Sequence, residues 1–254
     1  MILNTLISGE GPPLVLLHGL FGAAKNLGVL ARGLGTQARV IAMDLRNHGD
    51  SPHGAAMDFA AMAGDGAETC AALGVARARV AGHSLGGKTA MMLALLRPEL
   101  VERLAVLDIA PMRYEHDYDD YVKAMQAIVL HPGLSRGEAD AALAGVVKAA
   151  EMRAFLLNNL SLGAVPRWRA GLAEIGAAMP QILGWSEPPG VAPYGGPALF
   201  LRGGESDYVP AQAGAEIARL FPRAVVETVA GAGHWLHAEK PAQVLASLRG
   251  FFFE

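Results

Sequence analysis

Arg79-Val80-Ala81 runs into Gly82-His83-Ser84-Leu85-Gly86-Gly87-Lys88, and the apolar stretch Thr89 to Leu96 follows at once. The first three residues read as the end of a strand and Leu85–Leu96 as a helix, with Ser84 in the sharp turn between them. Gly82 and Gly86 let neighbouring backbone pass close to that turn. The turn lifts the Ser84 hydroxyl above the edge of a sheet. It also places a helix N-terminus, with its partial positive charge, beneath whatever the hydroxyl meets. The pattern Gly-x-Ser-x-Gly is a weak signal in a chain with 31 glycines in 254 residues. Its plain reading is a serine helix cap. The strand before it and the helix after it give it weight.

The same rhythm extends in both directions. Short, continuous apolar runs at Leu14–Leu17, Arg39–Met43, Leu104–Leu107, Ala198–Leu201 and Val225–Val229 alternate with helical stretches at Leu27–Leu34, Phe59–Leu73, Ala211–Leu220 and Pro241–Phe251. Continuous rather than alternating runs predict strands covered on both faces, hence a mostly parallel sheet flanked by helices and an α/β fold. One stretch breaks the rhythm. From Pro111 to Gly196 no strand pattern is present, and helical stretches are predicted near Tyr118–Val129, Gly137–Ala149, Glu151–Leu160 and Arg167–Met179. About 85 residues are too many for a structureless loop. The expected organisation is a core of residues 1–110 and 196–254 with a helical cap, residues 111–195, inserted between two strands. Met112, Met125, Met152, Met179, Phe155, Trp168 and Trp185 of that insertion read mainly as packing residues, with an adaptable acyl pocket as the functional alternative. Glu115, Asp117, Asp119 and Asp120 read as a solvated helix start.

A serine hydroxyl needs a base. Of the eight histidines, His234 sits in Ala230-Gly231-Ala232-Gly233-His234-Trp235, just after the last strand, where a Gly-rich loop aims it at the C-terminal edge of the sheet. His237 reads as a capping or surface residue, and His48, His53, His116 and His131 as solvated; His83 is locked in the turn and His18 begins another. The base needs an acid to orient it. Asp108, ending the strand Leu104–Leu107, and Asp207, in Gly203-Gly204-Glu205-Ser206-Asp207-Tyr208-Val209-Pro210, both preserve the chain order serine, acid, histidine. Their plain readings are a strand-end turn and a loop charge. Backbone donors for a developing oxyanion are expected from Leu85, directly after the serine, and from Leu20 in the turn His18-Gly19-Leu20-Phe21-Gly22, with Phe21 as the alternate.

Composition narrows the classes. The chain is 52% hydrophobic and 18% charged with a net charge of −3, which excludes disorder and offers no basic footprint for nucleic acid. A single cysteine, Cys70, rules out a disulfide within the chain, and no His/Cys spacing supports a metal site or a cofactor. Cys70 reads as a small buried apolar residue. No apolar run approaches the length of a membrane span. Met1 to Ser8 lack a basic segment and reach Glu10 and Pro12 too early for a secretion signal, so a cytoplasmic protein without membrane insertion is expected.

Together these residues resemble the α/β-hydrolase family over essentially the whole chain. The pieces are His-Gly-Leu-Phe-Gly at 18–22, Asp44-Leu45-Arg46-Asn47-His48-Gly49 with Ser51-Pro52, the turn at 82–88, Asp108-Ile109-Ala110-Pro111, and Ala232 to Pro241. Lys88, Asp108–Pro111 and the Gly-Gly-x-Ser loop are similar to the small YbfF-type esterases and their mitochondrial relatives. The resemblance implies an esterase with a helical cap that cleaves small acyl esters through Ser84, His234 and an acid. It also bears on that acid. The common family loop would put Ser206 where the acid stands and leave Asp207 one residue late. The YbfF-like group has a serine there and uses the aspartate of the earlier strand, which implies Asp108 as the acid and Ser206 as a supporting hydrogen bond to His234. The same fold serves thioesterases, lactonases, C–C hydrolases and cofactor-free haloperoxidases, and some members are non-catalytic receptors or scaffolds.

Overall fold

A computed structural model describes residues 1–115 and 118–254. His116 and Asp117, read above as a solvated histidine and part of an acidic helix start, lie outside the described residues. Strands β1 (Thr5–Ser8), β2 (Pro13–Leu17), β3 (Arg39–Met43), β4 (Ala78–His83) and β5 (Val101–Leu107) alternate with α1 (Gly28–Leu34), α2 (Phe59–Ala72) and α3 (Leu85–Leu96). The segment after β5 carries α4 (Asp119–Gln126), α5 (Arg136–Leu143), α6 (Ala150–Leu156), the short strands β6 (Leu160–Ser161) and β7 (Arg167–Trp168), α7 (Leu172–Ala177) and α8 (Met179–Leu183). The chain returns through β8 (Ala198–Gly203), α9 (Ala213–Leu220), β9 (Ala224–Val229), α10 (Leu236–Glu239) and α11 (Pro241–Phe253).

Seven strands form one sheet in the order β1-β3-β2-β4-β5-β8-β9, parallel except for β1 against β3. The period of two along each strand feeds a core on each face. Val15, Leu17, Val80, Leu104, Val106 and Phe200 pack with α2, α3 and α9, whereas Leu14, Leu16, Ala81, Ala105, Leu199 and Leu201 pack with α1 and α11. Cys70 is buried in the first of these cores. Residues on both faces are covered, which is why the central strands read as unbroken apolar runs.

Four details depart from the expectations. β1 was not anticipated: it is a short edge strand whose Leu6 and Ile7 face solvent, so no buried run marks it. β9 closes the opposite edge, and Val225 and Val226 are exposed there despite their apolar pattern. Within the insertion, residues 167–179 do not form one helix. Pro166 favours extended backbone before it, Arg167 and Trp168 pair antiparallel with Leu160 and Ser161, and helix resumes only at Leu172. The segment is therefore not free of strands. α5 stops at Leu143, ahead of Gly145, and the chain turns before α6. Among the described residues no helix is long and apolar enough to cross a membrane.

Candidate active site

The C-terminal ends of five parallel strands converge on one cleft of about 810 Å³, open mouth included, which holds Ser84, His234, Leu20 and Leu85. Open α/β sheets bind ligands at this edge because helix N-termini and loops, rather than paired backbone, face solvent there. Ser84 joins β4 to α3 with φ 51° and ψ −117°, a backbone state that side chains rarely adopt and that clusters at functional sites. Its N–H donates to the Leu107 carbonyl at 3.1 Å, tying the turn to β5. The glycines are forced. A Cβ on Gly82 would sit 2.1 Å from the Gly86 carbonyl oxygen, and one on Gly86 would sit 2.3 Å from that of Leu17.

Asp108 ends β5 with φ 51°, is 0% exposed, and is fully engaged. Its Oδ1 accepts from the Gly203 N–H at 2.7 Å. Its Oδ2 stands 2.8 Å from His234 Nδ1 and also accepts from the Ser206 hydroxyl. With Nδ1 donating to this carboxylate, Nε2 is the ring nitrogen left as a base. Ser206 therefore bonds the carboxylate rather than the imidazole, a correction to the expected Ser206–His234 hydrogen bond. Asp207, the alternate acid, is exposed. Gly203 and Ser206 both spend their donors on Asp108, so the loop between them curls inward while Asp207 points to its outer side.

The turn after β2 separates the two expected backbone donors. The Phe21 N–H donates to His48 Nε2 at 3.1 Å, and the Gly22 N–H donates to the Gly19 carbonyl at 2.9 Å. Among the described residues the Leu20 and Leu85 N–H groups have no such acceptor. Phe21, the alternate donor, is thus committed elsewhere. His48 is not solvated as expected but buried, with Nδ1 donating to the Arg46 carbonyl at 2.9 Å. Burial and the neighbouring His18 push its pKa down to about 3, so it stays a neutral acceptor for Phe21. His18 is held alike between the Gly19 carbonyl at 2.8 Å and the Leu45 N–H at 2.9 Å. Asp44 braces the same turn by accepting from the Ala24 N–H at 2.7 Å. His53 and His131 are exposed, as read.

Two further histidines pack beside His234. His83 donates from Nε2 to the His234 carbonyl at 2.9 Å, and burial holds its pKa well below the ordinary value. His237 is buried against His83, ring centroids 4.4 Å apart, rather than on the surface. Burial pushes its pKa down to about 4. Neither signal was local: both histidines are buried by partners far away in the chain.

The helices between β5 and β8 cover this cleft. Tyr118, Tyr121, Met152 and Phe155 line it, whereas Met125 and Met179 are packed in the core. Trp235, 38% exposed, sits at the mouth opposite Phe155, ring centroids 6.3 Å apart. Lys88, one turn into α3, is 2% exposed. Its ammonium donates to the carbonyls of Gly184 at 2.6 Å and Leu183 at 3.2 Å, and lies 4.7 Å from the Tyr114 ring centroid. Burial pushes its pKa down to about 7. Lys88, one of the residues that carry the family resemblance, ties α3 to the end of α8. Among the described residues no group of three or more metal-ligating side chains is gathered.

A family model described as the alpha/beta hydrolase fold matches residues 12–241, and the chain belongs to the α/β-hydrolase family. Within it the chain is of the YbfF type: it is 38% identical to esterase YbfF of Escherichia coli (strain K12) over 94% of this chain and 92% of that protein. It is also 40% identical to the sn-1-specific diacylglycerol lipase ABHD11 of Mus musculus, over 97% of this chain and 83% of the relative. Among solved structures, a marine microorganism esterase superposes with a TM-score of 0.94 at 33% identity, covering 99% of this chain and 100% of its own.

Proposed function

We propose that the protein hydrolyses small acyl esters through an acyl-enzyme on Ser84, with His234 as base, Asp108 as orienting acid and the residue 111–195 segment as a cap over the acyl site. The observation that carries this reading is the 2.8 Å contact between His234 Nδ1 and the fully buried Asp108 carboxylate, in the cleft that also holds Ser84. Nε2 of His234 takes the Ser84 proton as the hydroxyl oxygen attacks the ester carbonyl. The Leu85 and Leu20 N–H groups receive the oxyanion, and losing such a donor costs about 2.7–4 kcal/mol of transition-state stabilisation. His234 returns the proton to the leaving alcohol, then activates the water that releases the acid. Ser206 supports this by fixing the carboxylate that fixes the imidazole. The names of the YbfF and ABHD11 relatives support ester chemistry on a small or lipid-like substrate, and the apolar lining of the cleft supports a neutral acyl group.

The test is turnover of p-nitrophenyl acetate and butyrate together with labelling by a fluorophosphonate. Ser84→Ala is expected to abolish both. Parental turnover in Ser84→Ala, or label attached elsewhere in the parent, refutes the reading. Oxygen and sulfur esters of the same acyl chain, run side by side, separate esterase from thioesterase activity.

A further inference from the structure

Tyr208 lies two residues beyond Ser206 and plays no part in the steps above. Its ring is stacked on the His234 imidazole, with centroids 3.6 Å apart and planes inclined by 16°. Tyr208 is itself held on several sides. The Tyr114 hydroxyl donates to its carbonyl at 2.6 Å, and the Tyr114 ring stacks on its ring at 5.4 Å. Its N–H donates to Ser206 Oγ at 3.3 Å, and its hydroxyl is hydrogen-bonded to that of Tyr118, the residue before α4. Burial pushes the Tyr208 phenol far above its ordinary pKa, so Tyr208 is no proton acceptor at neutral pH.

The Asp108 contact fixes the imidazole at one atom. That bond alone does not oppose a tilt about the line from Oδ2 to Nδ1, which moves Nε2 relative to Ser84; the His83 and Trp235 rings meet the imidazole at 4.8 and 5.8 Å, neither stacked flat on it. A flat ring held against the imidazole face opposes that tilt. The same face favours the imidazolium formed during each proton transfer. We propose that Tyr208 is a positioning residue that keeps His234 in the plane serving Ser84, and that Tyr118 extends this hold to the helices over the cleft. The proposal rests on the Ser84–His234–Asp108 reading.

The test compares kcat and KM for p-nitrophenyl butyrate, per fluorophosphonate-titrated site, in Tyr208→Phe and Tyr208→Leu. Titration removes misfolded protein from the comparison, and Tyr208→Met repeats the loss of the aromatic face should the Leu variant not fold. Small misplacements of a reacting group cost up to about a hundredfold. Tyr208→Leu is expected to lower kcat roughly tenfold or more with KM little changed, and Tyr208→Phe, which keeps the stack, to restore most of that loss. Parental kcat in Tyr208→Leu, equal losses in the Phe and Leu variants, or a change confined to KM overturns the proposal. If the parent is not labelled at Ser84, the triad reading falls instead, and this one with it.

Discussion

Asp108→Asn is the sharpest perturbation, because the buried carboxylate has three donors and an amide can accept at one end only. If the amide oxygen stays with the Gly203 N–H, 2.7 Å away at Oδ1, the new NH₂ meets His234 Nδ1 and the Ser206 hydroxyl. The imidazole then escapes an N–H to N–H clash by moving its proton to Nε2, and it can no longer accept from Ser84. The same change in an established Ser-His-Asp triad lowers kcat about 10⁴-fold, which is about 5 kcal/mol of transition-state stabilisation. If the amide is flipped, the NH₂ opposes the Gly203 N–H and leaves buried donors unpaired, at about 1–3 kcal/mol of stability. Initial rates with p-nitrophenyl butyrate and urea unfolding of the same samples distinguish the two orientations. Asp207→Asn is the control. It changes an exposed side chain and is expected to alter kcat by less than about threefold. A loss in Asp207→Asn as large as in Asp108→Asn, or an Asp108→Asn enzyme that keeps both more than about a tenth of parental kcat and parental stability, refutes the assignment of the acid.

Ser206→Ala removes one donor from the buried carboxylate and is expected to cost about 1.5–3 kcal/mol in urea unfolding, the range for hydrogen bonds to charged groups; unchanged stability would mean that the hydroxyl is replaceable. Gly86→Ala drives a Cβ to 2.3 Å from the Leu17 carbonyl oxygen and is expected to abolish fluorophosphonate labelling or folding. Gly137→Ala in α5, where the nearest neighbour is the Ser135 hydroxyl at 3.9 Å, is expected to stabilise by about 0.4–1 kcal/mol; calorimetry on the pair checks both. Lys88 gives a pH dependence. Its pKa falls from the ordinary 10.5 to about 7 in the folded chain through burial. Between those values the unfolded state binds more protons, so stability rises with pH, by at most about 1.4 kcal/mol per unit, and the gain is complete above the unfolded value. The difference between parent and Lys88→Met, followed by urea unfolding from pH 6 to 10, is expected to climb accordingly. A flat or falling difference would show that the Gly184 and Leu183 carbonyls outweigh burial.

What could be read from the chain was whatever is encoded over a few neighbours. The turn at Ser84, the glycines around it and the loop carrying His234 are local arrangements with local sterics, and their order along the chain follows from the alternation of strands and helices. Asp108 over Asp207 was legible only through family likeness, because both follow a strand and both precede His234. What stayed hidden depends on contacts distant in the chain. His48 lies in a polar stretch yet is buried beneath Phe21, and Ser206 meets Asp108 rather than His234 because β5 and β8 are neighbours in the sheet. Tyr208 looks like a loop aromatic until β9 brings His234 beside it. β1 escaped for a simpler reason: an edge strand with a solvated face carries no apolar run.

The reach of Lys88 has a consequence for recombining these proteins. Its ammonium arises from α3, the helix that follows Ser84, but spends its hydrogen bonds on the last turn of α8 and Gly184. The covering helices are therefore not an interchangeable part that can be excised at the two strand ends. A chimera that imports a foreign insertion must either keep the stretch through Gly184 or exchange Lys88 at the same time. Otherwise the graft leaves the buried Lys88 amine without its carbonyl acceptors, at about 1–3 kcal/mol for an unsatisfied buried donor. The end of α8 thus travels with α3 rather than with the helices before it.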